Sequence, residues 1–92
     1  MLYIITYDIN TTVKDYASLY ECIQQLGDSY QHPLESVWVI SSERNVTEIC
    51  NRLRQEMNEK DLLFVAELKK DSAVQGWLSK TFWKWLKQER HD

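Results

Sequence analysis

The chain begins on an almost unbroken run of β-forming apolar residues, Leu2-Tyr3-Ile4-Ile5-Thr6-Tyr7, and the run closes on a carboxylate, Asp8. A strand with one wet face alternates apolar and polar residues; a strand covered on both faces does not. Residues Leu2 to Asp8 are therefore expected to form a central strand, with Asp8 where that strand leaves the core. A charge there is either a solvated strand end or a functional group carried on a rigid element.

The rest of the chain supplies what such a strand needs. Tyr16, Leu19, Tyr20, Ile23 and Leu26 recur at helical spacing, which predicts an amphipathic helix opened near Asp15. Gly27 is expected to end it in a left-handed conformation. Ser36-Val37-Trp38-Val39-Ile40 is strongly β-forming. Pro33 marks an edge, a bend or a bulge ahead of it, and the segment from Ser29 to Ser41 reads either as one bent strand or as a hairpin. Asn45 with Glu48 three residues on forms a capping pair for a second helix with an apolar stripe of Val46, Ile49, Cys50, Leu53 and Met57. Leu62 to Leu68 is a further near-continuous apolar strand, expected to be central or well covered. Ala73 to Trp77 would add a short edge strand, and Ser79 would cap a short final helix.

The order β-α-β(β)-α-β with two amphipathic helices fits an α+β, ferredoxin-like sandwich, an antiparallel sheet with both helices on one face. One domain spans residues 1–92, with a core of 1–71 and a Trp-rich C-terminal extension of 72–92. The other sheet face, carrying Tyr3 and Tyr7 or their alternates, needs a cover, and a second copy of the chain is the simplest one.

Charge and composition exclude several classes. The net charge of −3 argues against a surface coated for nucleic acid. The balance is uneven: residues 1–68 hold five Lys/Arg against eleven Asp/Glu, and residues 69–92 hold six against three. The C-terminal end is thus basic and aromatic on an acidic body. No stretch approaches the ~18 apolar residues of a membrane span. The apolar start has no basic region ahead of it, so a signal peptide is not expected. Cys22 and Cys50 sit at no metal spacing and read as reduced core thiols of a cytoplasmic protein. There is no zinc-ligand cluster, no Gly-rich phosphate loop and no nucleophile elbow.

Tyr7-Asp8 closing the first strand, the Tyr16–Gly27 helix, Tyr30-Gln31-His32 ahead of Ser36-Val37-Trp38, and Trp85-Leu86-Lys87 near the end together resemble a family of small proteins. It contains the small CRISPR adaptation nuclease, VapD-type toxin ribonucleases and SinR-like short bacterial and phage proteins, and the last group is the most similar. The resemblance spans nearly the whole chain. It implies a ferredoxin-like homodimer in which the strand-one Asp of each subunit faces its twin and holds Mg²⁺ or Mn²⁺; Asp8 is the matching position, both as metal ligand and as catalytic residue. A hard cation held by few carboxylates can polarise a phosphate and activate water. The sequence departs from the adaptation nuclease at Asn10–Asp15, where one Lys stands in place of an Arg-rich helix start, so duplex binding is not implied.

The remaining candidates each have a competing reading. Tyr7, with Tyr3, would stack on bases or serve as a core or interface aromatic. His32 would act as a general base or phosphate contact, or as a half-buried structural residue. Trp83 and Trp85 with Lys84, alongside Trp77, Phe82, Lys80 and Lys87, suggest docking onto a large apolar surface. That surface belongs to the same chain or its dimer mate first, then to a partner protein, then to nucleic acid. Two functions follow: a metal-dependent endonuclease acting through Asp8 in nucleic-acid metabolism or phage defence, or a non-catalytic interaction module binding a partner through the basic Trp-rich end.

Overall fold

A computed structural model of the chain describes residues 1–10 and 16–90. The elements are β1 (Leu2–Asp8), α1 (Ala17–Leu26), β2 (Ser29–Leu34), β3 (Val37–Ser41), α2 (Val46–Arg54), β4 (Leu62–Leu68) and α3 (Lys80–Arg90). One four-stranded antiparallel sheet has the order β2-β3-β1-β4, the ferredoxin-like arrangement. β1 is central, as its sequence requires. The expected helix opening at Asp15 lies outside the described residues.

Strand parity divides the molecule into layers. Tyr3, Ile5 and Tyr7 of β1, with Trp38 and Ile40 of β3, pack under α1 and α2 against Leu19, Cys22, Ile23, Leu26, Ile49 and Leu53. The alternate residues face the other way. There Leu2 and Val39 pack with Phe82 and Leu86 of α3, flanked by Ile4, Leu68, Leu78, Trp83 and Trp85. Both faces of β1 are thus apolar because each has a helical cover. The expectation that the second face awaits another copy is corrected in part: α3 covers the half nearer Leu2.

α3 starts where predicted. Ser79 Oγ accepts from the Phe82 N–H at 3.1 Å, satisfying one free donor of the first turn. The helix is docked by burial of Phe82 and by Trp85 Nε1 donating to Ser29 Oγ at 2.6 Å. Phe82→Ala removes the central anchor of this smaller core. It is expected to cost about 3 kcal/mol, read as a lower urea midpoint, with α3 amides losing hydrogen-exchange protection before those of β1.

Several local expectations are revised. Gly27 is not left-handed; its φ and ψ are −98° and 139°. It is needed for space: a Cβ there would meet Ile40 Cβ at 3.0 Å and the Ser29 carbonyl at 3.1 Å, because the chain passes directly from α1 into β2. Residues 29–41 form a hairpin turning at Glu35-Ser36, with an irregular register between Gln31 and Leu34. Pro33 sits there on an edge strand, where its missing amide is harmless. Asn45 accepts from Glu48 N–H at 2.9 Å, while the Glu48 carboxylate turns to Arg44 at 3.9 Å. Val46, on the α2 stripe by spacing, is exposed at the first turn. β4 is an edge strand rather than a central one, and residues 73–77 form no strand.

Candidate functional site

The part of the sheet that α3 leaves open is defined by register. Leu34 pairs with Val37, Val37 with Thr6, and Thr6 with Phe64, so one row of outward side chains crosses all four strands. In the next row Asp8 pairs with Leu62. Along this band Leu34 is 52%, Leu62 60% and Phe64 63% exposed. Contiguous exposed apolar side chains on a sheet face mark a contact surface more often than chance.

Asp8 stands at the lip of that band. It is exposed at the end of β1, beside a shallow groove of about 230 Å³ lined by Thr6, Tyr7, Leu62, Leu63 and Phe64. Among the described residues no ion pair or side-chain hydrogen bond engages its carboxylate, and no group of three His, Cys, Asp or Glu side chains gathers there or elsewhere. One carboxylate supplies hard oxygen donors suited to Mg²⁺ or Mn²⁺ but too few to hold either alone. The described residues of one chain therefore do not by themselves complete a site for such a cation.

The segment leaving Asp8 is braced by Asp61, a residue that the sequence analysis did not single out. Asp61, 6% exposed, accepts from the Asn10 N–H through Oδ1 and from the Asn58 N–H through Oδ2, both at 2.8 Å. These two backbone donors hold its carboxyl below the ordinary value of 3.8. The sign follows: the contribution to stability is present above the unfolded value and is lost as pH falls through the lower folded value. Asp61→Asn is accordingly expected to lower the unfolding midpoint at pH 7 and to flatten the fall in stability as pH drops below the ordinary carboxyl value of 3.8, measured by urea titration at each pH. Its sequence signal was an Asp three residues after Asn58 in a turn, a spacing that favours side-chain capping of backbone N–H groups.

Tyr7 and His32 belong to the opposite face. The Tyr7 ring is 6% exposed, which leaves no free face for a base. Its hydroxyl donates to the Glu35 carbonyl and accepts from Trp38 Nε1, each at 3.3 Å, and burial first of all pushes its ionisation well above the ordinary tyrosine range. His32 stacks on Trp38 with centroids 4.1 Å apart and planes 12° apart, meets the Tyr20 edge at 5.2 Å, and donates from Nε2 to the same Glu35 carbonyl at 2.9 Å. A carbonyl oxygen only accepts, so Nε2 carries the hydrogen of this bond. These contacts lock the tip of the β2–β3 hairpin onto α1. Asp8 and His32 are therefore not brought together: one faces the open band and the other the helix layer.

Of the C-terminal candidates, Trp83 and Trp85 are half-buried against the cluster under α3, and Lys84 is exposed. Trp77 is the fully presented aromatic. It is 92% exposed, beside an open groove of about 680 Å³ bordered by Pro33, Leu34, Leu78 and Trp83. Among the described residues no helix is long and apolar enough to cross a membrane.

No family model and no curated protein matches the chain. Among solved structures it is similar to a hypothetical protein, TT1823, from Thermus thermophilus, at 22% identity over 85% of this chain and 93% of that one, with a TM-score of 0.57. At that identity the likeness speaks for the fold alone.

Proposed function

We propose that the protein is a cytoplasmic homodimer of the type its sequence resembles, the CRISPR adaptation nuclease and VapD group. In this reading it acts in nucleic-acid metabolism or phage defence as a metal-dependent endonuclease. The observation that supports it is the position of an exposed Asp8, without a side-chain partner among the described residues, at the lip of an apolar band that the chain's own third helix leaves bare. A second copy seated band to band buries Phe64, Leu62 and Leu34 and brings two Asp8 carboxylates toward one axis, since a two-fold contact uses the same patch twice. β1, paired with β3 on one side and β4 on the other, orients each carboxylate. The surrounding leucine and phenylalanine side chains exclude water and strengthen the attraction of the two anions for a cation. When bound, a divalent cation there polarises a phosphate oxygen and makes water a better nucleophile. The acidic body disfavours long duplex contacts, so RNA or single-stranded DNA is the substrate class. The test is cleavage of labelled RNA and DNA with and without Mn²⁺, together with a Mn²⁺ titration that should saturate at one ion per two chains.

Trp77 favours a second reading, an accessory or inhibitory protein that binds a partner and cleaves nothing. A 92% exposed Trp beside an apolar groove has the character of an interface anchor. Under this reading Asp8→Ala leaves partner binding unchanged, and Trp77→Ser abolishes it with the fold intact.

A further inference from the structure

The charge balance reverses around α3, and the structure gives that reversal a shape. Lys70, Lys87 and Arg90 line a groove of about 380 Å³ whose remaining walls are Val74, Trp83 and Leu86. Arg90 is built into it. Its Nε donates to the Lys70 carbonyl at 2.9 Å, and its Nη2 donates to the carbonyls of Lys70 and Ser72. This clamp ties the chain after β4 to the end of α3 and so forms the groove. Carbonyls satisfy the guanidinium's donors without cancelling its charge. The ion pairs among the described residues are Arg44–Glu48 and Arg52–Glu56, at α2; none involves Lys70, Lys87 or Arg90. Lys70 also borders the neighbouring groove, which Glu67, Lys69 and Glu89 line.

We propose that this groove binds a short acidic peptide segment of a partner protein, seating one apolar side chain against Trp83 and Leu86 while flanking carboxylates meet Lys70, Lys87 and Arg90. It goes beyond the readings above, requiring neither a cation at Asp8 nor the Trp77 surface. Three cations around an apolar floor match two or three carboxylates beside one apolar residue. A polynucleotide is a poorer match: it would run beyond this small basic patch onto an acidic body, and its affinity is built from many phosphate contacts. The acidic body of a second copy is poorer too, because that contact pairs unlike surfaces and closes only if the rotation happens to form a ring. The apolar wall adds what a surface lysine pair lacks, area that a side chain can bury.

The probe is a fluorescein-labelled peptide with four glutamates flanking a Leu-Trp pair, followed by fluorescence anisotropy on the full chain. Saturable binding is expected. It should weaken at least about tenfold with the Gln-for-Glu peptide, and by a similar factor with the protein variant carrying Lys70→Glu and Lys87→Glu. The variant carrying Lys70→Gln and Lys87→Gln, which removes charge without adding repulsion, should fall between, and both variants should keep the parent circular dichroism and any Asp8-dependent cleavage. Absence of saturation at millimolar peptide, equal binding by the charge-reversed variant, or displacement of the peptide by a ten-nucleotide single strand that binds more tightly would each overturn the proposal.

Discussion

Asp8→Asn is expected to reduce Mn²⁺-dependent cleavage at least about 100-fold, or roughly 2.7 kcal/mol of transition-state stabilisation, while leaving thermal stability within about 0.5 kcal/mol of the parent. Both halves follow from where Asp8 stands. It is exposed and makes no side-chain hydrogen bond or ion pair among the described residues, so the folded monomer loses nothing when the charge is removed. Asn keeps the shape and one carbonyl oxygen but not the anion. In a two-fold site one substitution removes both carboxylates at once, which is why the loss should be steep. Full activity in Asp8→Asn would remove the nuclease reading and leave the interaction reading standing. Cleavage lost together with the native circular dichroism would instead make Asp8 structural.

The second large effect concerns assembly. Phe64→Lys is expected to convert the proposed dimer into an 11.0 kDa monomer at micromolar concentration, as measured by light scattering after size exclusion. Phe64 is 63% exposed in the single chain, so the substitution leaves the two cores intact. In the proposed dimer it deletes an apolar side chain worth about 2 kcal/mol on burial and does so twice, once per copy, weakening association about a thousandfold. The lysine's own desolvation adds to this. Because the proposed cation site needs two chains, the same variant should lose cleavage although Asp8 is untouched. A monomeric Phe64→Lys protein that still cleaves would separate the chemistry from the dimer and refute a shared site.

Much of the fold was legible because its physical causes are local. The 2–8 run marked β1 as doubly covered, the stripes of α1 and α2 set their inward faces, and Asn45 and Ser79 cap their helices through N–H bonds that their spacing foretold. The failures share a cause. An apolar residue such as Phe64 or Leu62 looks the same in sequence whether it is covered or exposed, so β4 read as central or well covered although it is a partly exposed edge strand. Parity was the other hidden quantity. His32 and Asp8 both fall near strand ends at one end of the sheet, but the irregular register between Gln31 and Leu34 sets which way the hairpin tip faces. That irregularity, invisible in composition or period, turns Leu34 onto the open face, while His32 keeps the alternation of Tyr30 and packs on Trp38, away from Asp8. The basic groove depends on Arg90 reaching back to the carbonyls of Lys70 and Ser72, a contact across roughly 20 residues that no local pattern encodes.

The most direct test of the central claim is cross-linking at the axis. Asp8→Cys protein, oxidised gently and run on a non-reducing gel beside the parent chain with its own free Cys22 and Cys50, should form a covalent dimer within minutes while the parent stays single. If Asp8→Cys remains a single chain under conditions where light scattering reports a dimer, the two carboxylates do not face one another, and the two-fold metal site is wrong.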